Sequence, residues 1–486
     1  MSAPQSIPPA AAPEHPDPTQ NVFDHLRACL TVRDPGERNA QARETLNADI
    51  NGLVANSGIT ELIGLACEVA QSLTDDQMRA EVAAQLLTPA ARALLAATDD
   101  DKSLVWAVVM AHSLLTEEAR TEVVGELLSR QMACETMANL VAGFVSERPG
   151  EERDQNLRQY LSLPICRAIA KSNSFVAIGN TAYAIARLPP EERSAAAAAA
   201  ATLLPQGVAP VGMSGNVQAT MYTLEAASFL PPDALESILV PLFIPRARAA
   251  LVKSADPRVI STAAYSAATL LPPCAFRDAV LQDLLSPPAC GVVADKGDVH
   301  DWVVAAHAAT ALPAGAARDA MLVRLLPANA CAQVEKFGDA QRLADAAYAV
   351  TFLPSDKARS SALTALVTEN ACQLGGKLGS PSSWARLSFA AALLEDKDVR
   401  EERLMSLVPQ KCAFVAARGT DLEIRLMGHA AKLLPEGAER DAALEVLRPK
   451  WEKLPPLTWQ EIESGPQVGF AGPPGGAARA AFPTGP

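Results

Sequence analysis

Six of the nine cysteines in this 486-residue chain fall at or within one residue of a single phase. Cys166, Cys290, Cys331 and Cys372 each stand thirteen residues after an arginine (Arg153, Arg277, Arg318, Arg359), and Cys134 and Cys412 are one residue out. Thiols at fixed intervals suggest metal binding, which needs three or four ligands converging on one ion at about 2.0–2.3 Å. Equivalent positions in stacked helical units lie about 10 Å apart, the spacing of packed helices. Single cysteines one period apart therefore cannot share a zinc ion. They are expected to be small buried apolar residues, and no metal or cofactor is expected.

The other chemistry-bearing side chains divide in the same way. His307 and His429 stand where Tyr183 and Tyr348 stand in other copies, six residues before a proline or its equivalent, so a semi-polar packing site accounts for them. His112 sits in a similar helix, His300 falls in a first helical turn, and His15 and His25 lie near the start. Asp99-Asp100-Asp101 precedes a helix and reads as a cap. The chain has no HExxH, no G-x-S-x-G and no glycine-rich phosphate loop. Nothing in the pattern assembles a catalytic group, so the chain is read as not an enzyme.

Two phased sets of cations remain. Lys296, Lys336, Lys377 and Arg418 each sit one or two residues before a glycine, with Lys171 as an earlier counterpart. A cation in the last turn of a helix interacts favourably with the dipole. The same residues could form a basic ridge that meets an acidic peptide or a nucleic-acid backbone. The arginines form the second set, in the first turn or two of a helix, where a positive charge opposes the dipole. Neighbouring acids (Asp319 beside Arg318, Asp441 beside Arg440) or carbonyls of an adjacent unit would compensate them. They are either a structural ladder or a ligand-facing row.

The arginines define a repeat. They close a phrase such as Leu271-Pro272-Pro273-Cys274-Ala275-Phe276-Arg277 or Leu353-Pro354-Ser355-Asp356-Lys357-Ala358-Arg359. The positions 38, 79, 120, 153, 193, 236, 277, 318, 359, 400 and 440 are spaced by 40 to 43 residues, apart from one step of 33. Glu236 replaces the arginine in one copy. The 33-residue step marks a shortened unit or a slip of register. Trp302, Leu343, Trp384 and Ile424 recur in phase, as do Gly297, Gly338, Gly379 and Gly419.

These phases predict local structure. The Asp, Ser or Thr after each glycine starts a first helix of about 15 residues, as over Asp298–Leu312. Trp302, Ala305, Ala306 and Ala309 lie on one of its faces. The Leu-Pro phrase ends it, because proline has no N–H and disfavours helix in the residue before it. Proline and acids such as Glu191 and Glu192 suit the opening turn of a second helix, which runs through Arg318–Leu326. A third, short helix opens at the cysteine and closes at the glycine, which is expected to be a left-handed C-cap.

Units of about 41 residues, two long helices and one short, cannot bury their apolar faces alone. Residues 21–454 are therefore expected to be all-α, a superhelical α-solenoid of about ten to eleven repeats. Helix length, period and the phrase Asp298-Val299-His300-Asp301-Trp302-Val303-Val304-Ala305-Ala306-His307-Ala308-Ala309 resemble armadillo and HEAT repeats. The phased arginine of the Leu-Pro turn departs from both families.

The ends differ. Residues 1–20 hold six prolines and no Lys or Arg, and residues 455–486 are rich in Pro and Gly, so both read as disordered. The Pro/Ser-containing leader joined to such a repeat also looks like effectors that Gram-negative plant pathogens inject by type III secretion, although the Ser-Lys-Trp-Pro tetrapeptide of one such group is missing. That likeness implies a secreted protein without a cleaved signal peptide, acting on host proteins. Otherwise a cytoplasmic location is expected, since the first residues do not form a signal peptide.

Composition narrows the partner. With 42 basic against 55 acidic residues and a net charge of −13, the chain lacks the overall basic balance of a nucleic-acid binder. The longest uncharged stretch, Ser194–Leu224, contains Pro205 and Pro210 and is expected to be broken, so no membrane span is expected. Cysteines without an export signal read as reduced thiols. The reading reached is a non-catalytic scaffold that holds a protein or peptide along its concave face. Two alternatives stay open. One is a solenoid enzyme or lyase-like helper whose pocket would use the out-of-phase Cys29, Cys67, Cys274 and Glu236. The other is nucleic-acid binding along the basic ridge.

Overall fold

Proline, glycine and short oxygen-bearing side chains punctuate the chain often enough to keep its helices near three turns. The computed structural model describes residues 18–114, 116–145, 150–353, 357–375 and 380–455. Among them are thirty α-helices, one 3-10 turn at Pro190–Glu192, and no strand. They form two compact units, divided between Pro210 and Val211. The leader up to residue 17, the tail from 456 and Lys377 lie outside the described residues.

One stretch of the second unit shows how sequence becomes structure. The Asp298 carboxylate accepts the Asp301 amide at 3.1 Å, and the Asp301 carboxylate accepts the Asp298 amide at 3.1 Å. This reciprocal capping box opens the first helix, Val299–Ala309. Thr420 and Glu423 repeat it at Asp421–Lys432. The helix is shorter than its expected 15 residues because Ala311 and Leu312 close the turn with bonds to Ala308 and Ala309, both 3.1 Å, three residues back rather than four. The second helix is Ala316–Leu325.

The third helix, Ala328–Phe337, has 10 residues and matches the second in length. In this stretch the expectation of two long helices and one short helix is thus corrected to three of similar length, whereas Cys412–Arg418, with 7 residues between helices of 11 and 12, keeps to it. This third helix begins at the proline before the cysteine, not at the cysteine, whereas Cys412–Arg418 does begin at its cysteine. Pro327 supplies an extended N-cap, and in Pro287–Lys296 and Pro245–Lys253 a proline occupies the first turn.

The glycine expectation is also corrected. Gly297, Gly338 and Gly419 have φ of −75°, −71° and −76°, so they are extended C-caps, not left-handed ones. Glycine is needed there for space. A Cβ would lie 2.4 Å from the Val293 carbonyl oxygen at Gly297, 2.4 Å from that of Val334 at Gly338, and 2.6 Å from that of Val415 at Gly419.

Within the second unit, first helices pack on one another in chain order: Pro257–Leu270, Val299–Ala309, Ala340–Val350, Pro381–Ala392 and Asp421–Lys432. Each third helix packs on the second helix that follows it, as Pro287–Lys296 does on Ala316–Leu325 and Ala328–Phe337 on Lys357–Leu366. Leu343, Trp384, Phe389 and Ile424, all on first helices, are buried, as is Phe243 at the end of Pro232–Leu242. Trp302 is half-buried and donates its indole N–H to the Val293 carbonyl at 3.0 Å.

The first unit repeats this packing in pairs. Thr60–Ala70 packs on Asp101–Ala111, and Gln131–Val145 on Phe175–Ala186. The 33-residue step falls here, and it is a shortened unit. Gln131–Val145, 15 residues long, begins with a buried Cys134 like a third helix and packs on Phe175–Ala186 like a first. One helix replaces two.

A second fusion overturns an expectation. Arg193–Ser214 is a single 22-residue helix that continues through Pro205 and Pro210. Burial of Ala196, Ala199, Ala200, Leu203, Leu204 and Val208 offsets the roughly 3 kcal/mol that an interior proline costs. By length and composition it could cross a membrane, alone in this among the described helices, and half of its most apolar window is buried inside the fold. A core helix has the same properties.

Candidate functional site

Two of the phased arginines are buried, whereas Arg193 is exposed. Arg277 and Arg318 are 7% and 3% exposed. Arg277 donates to the Asp278 carboxylate at 3.0 Å and to the Ala311 carbonyl at 2.7 Å, 34 residues on. Arg318 reaches the Phe352 carbonyl at 3.3 Å, again 34 residues on, and pairs with Asp319 at 3.6 Å. Arg120, Arg359 and Arg400 instead donate to the loop of their own unit, at Leu114, Leu353 and Leu394. In both arrangements the guanidinium satisfies carbonyls that the ended first helix leaves open.

The phased thiols follow the same logic. Cys166, Cys290 and Cys331 donate to the carbonyls of Leu161, Leu285 and Leu326 at 3.5, 3.1 and 3.4 Å, each five residues back at the end of the preceding helix. Cys134 reaches six residues back, to Leu128 at 3.2 Å, which matches its one-residue offset. Burial pushes the thiols of Cys166, Cys290, Cys331 and Cys412 up to about 12, away from thiolate chemistry. Among the described residues, no three His, Cys, Asp or Glu side chains gather as a metal site.

Of the out-of-phase group, Cys29 meets the Thr45 hydroxyl at 3.4 Å, and Cys67 is buried, its thiol pushed up to about 12. The Cys274 sulfur accepts the Arg277 amide at 3.5 Å as a helix cap, and Glu236 is exposed. Cys29 and Cys67 belong to the first unit, Cys274 and Glu236 to the second. Two open clefts, one between Lys357, Ser360 and Glu395 and one between Arg92, Glu126 and Arg130, contain none of the four. Asp100 caps its helix, accepting the Ser103 amide at 3.1 Å.

The basic set lies on the surface. Lys171, Lys296, Lys336 and Arg418 are exposed in the last turns of Leu163–Lys171, Pro287–Lys296, Ala328–Phe337 and Cys412–Arg418. Sequence reading missed a fifth member, Lys253, which ends Pro245–Lys253 with no glycine after it to mark the phase. None of these five forms an ion pair among the described residues, whereas Arg248, Arg258, Arg324, Arg342 and Arg386 all do. Lys336 lies over the Phe337 ring at 5.0 Å and Arg418 over the Phe414 ring at 5.5 Å. Phe337 is 68% exposed.

A polar seam along the first helices of the second unit was not anticipated. Arg258 bonds Asp298 at 2.9 Å and Asp301 at 2.8 Å, and the Arg342 Nε donates to His300 Nδ1 at 2.9 Å. Ser383 donates to Gln341, which itself donates to Asp345 at 3.0 Å. Asp345 pairs with Arg386, whose guanidinium lies 5.3 Å from the Tyr348 ring. Tyr265 and His307 lie ring to ring at 5.7 Å. Burial pushes His307 down to about 4, and the Arg386 charge adds to this. His300 is likewise held at about 4, by burial and then by Arg258 and Arg342. The signal was present in the sequence: Asp345 and Arg386 are one period apart.

In the first unit, His112 Nε2 and Ser162 Oγ meet at 3.0 Å, and burial and Arg120 push that imidazole down to about 4. Asn180 donates to Asn139 at 2.7 Å across two first helices. These bonds join adjacent elements. The third-helix cations face solvent, and the first helices keep a half-exposed edge.

No protein-family model matches the chain, and no curated protein matches it at a significant level.

Proposed function

We propose that the helices of each compact unit form a run of α-solenoid, together about eleven repeats, and that the protein is a non-catalytic scaffold holding a protein segment. One observation carries this reading. In residues 257–392 successive first helices are joined side chain to side chain at separations of 40 to 42 residues: Ser261 to Asp301, Arg342 to His300, Arg386 to Asp345. Bonds that recur at the repeat distance fix each helix on the next, so the row behaves as a stiff template. A stiff row loses little freedom when a partner is laid on it.

The armadillo/HEAT likeness supports the architecture and says nothing about the partner. The likeness to injected effectors would place that partner in a host cell. A cytoplasmic role fits the same scaffold.

The test is photo-crosslinking of the full chain, with a photoreactive residue at Val304 on the first-helix row or at Phe337. A scaffold yields one dominant protein adduct whose partner, released from the native complex, keeps its mass. Turnover of the captured partner would favour the enzyme reading instead. Loss of capture after nuclease treatment would favour nucleic acid.

A further inference from the structure

Deepening the scaffold reading, and resting on it, we infer that Lys253, Lys296 and Lys336, with Arg418 beyond them, receive an acidic protein segment that places an apolar side chain on Phe337. The four cations end equivalent third helices of the second unit and are exposed, without a carboxylate partner among the described residues. The helix dipole favours cations at this end of a helix without neutralising them. The acids beside Lys253, Lys296 and Lys336 in the chain already have partners. Asp256 accepts the Arg258 and Val259 amides, Asp298 caps its helix and pairs with Arg258, and Asp339 caps its helix and pairs with Arg342. Asp295 pairs with Arg324, and Glu335 accepts Thr368 and Asn370 at 2.7 and 3.0 Å.

Spacing adds selectivity. Successive units of a solenoid stack about 10 Å apart, and an extended peptide rises about 3.3 Å per residue. A carboxylate at every third position therefore meets successive units. Phe337 presents most of its ring to solvent beside Lys336, a suitable seat for a leucine or an aromatic residue between two acids. A nucleic acid would offer anions without the apolar side chain.

The probe is a fluorescein-labelled peptide of about thirteen residues, with glutamate at every third position, one central leucine and serine elsewhere, titrated with the full chain by anisotropy. Saturable binding is expected, weakened at least ten-fold by K296E/K336E and several-fold by F337A, with circular dichroism unchanged. A peptide of the same composition with its glutamates clustered should bind more weakly. Absence of binding, indifference to K296E/K336E, or equal affinity for a single-stranded oligonucleotide of equal charge overturns the inference. If crosslinking still captures a partner after the peptide fails, the scaffold stands and only this site falls.

Discussion

Arg277 and Ala311 are 34 residues apart in the chain and 2.7 Å apart in space, guanidinium to carbonyl. The bond ties the start of one second helix to the turn that ends the next first helix. Because Arg277 is buried, its loss leaves both that carbonyl and Asp278 short of a donor. R277A should lower the unfolding free energy by about 2–4 kcal/mol in urea titration. R440A, whose partner Glu436 is almost fully exposed at 3.8 Å, should change it by less than about 0.5 kcal/mol.

Two glycines should respond in opposite senses. At Gly338 an added Cβ meets the Val334 carbonyl at 2.4 Å, so G338A should destabilise by about 1–3 kcal/mol. At Gly291, inside a helix, a Cβ meets nothing within 4 Å. G291A should stabilise by about 0.5–1 kcal/mol, the helix preference of alanine. Thermal midpoints of the two variants decide the matter.

Thiol reactivity should separate one cysteine from eight. Cys274 is half-buried and the other eight are buried. Titration of the native protein with a thiol-reactive dye at pH 8 should show one fast equivalent, lost in C274S, and nine after denaturation. Several fast thiols in the native state would contradict the placement of the phased cysteines.

Stability should fall as acid is added. His112, His300 and His307 are held at about 4, mainly by burial, against an ordinary value near 6.5. Below pH 6.5 the unfolded chain takes up protons that the folded chain refuses, so stability present above that pH is lost progressively toward pH 4. Asp301, raised by burial, works the other way and offsets part of the loss. The thermal midpoint should drop between pH 7 and pH 4. H307Y, which installs the residue of the equivalent position 348, should flatten the profile.

The Asp345–Arg386 pair should behave as a unit. Arg386 is 14% exposed along its side chain. Burial works against its charge, but Asp345 and Tyr348 outweigh that and hold it firmly protonated. D345L alone strands the guanidinium and should cost about 3–5 kcal/mol, whereas D345L/R386M should come close to wild type. A double variant as unstable as the single one would mean that the seam, not the pair, carries the stability.

The sequence by itself determined what is local and periodic. A proline without an N–H, an Asp, Ser or Thr ready to cap, and an apolar residue every three or four positions specify where each helix starts, stops and turns inward. Asp298, Pro313 and Leu343 were legible on those grounds, and so was the step of about 41 residues. Tertiary packing decided what depends on residues one period apart. One arginine takes the carbonyl of its own turn, as Arg400 does, and another that of the next, as Arg277 does, a choice their shared phase does not reveal. Tertiary contacts keep Arg193–Ser214 intact through two prolines, let Gln131–Val145 stand in for two helices, and bring Asp345 to Arg386. They also require glycine at 338 for a close carbonyl rather than for a left-handed turn. Backbone preference acts over a few residues, while burial and hydrogen bonding act across space, so a single unit read alone holds the first kind of information and not the second.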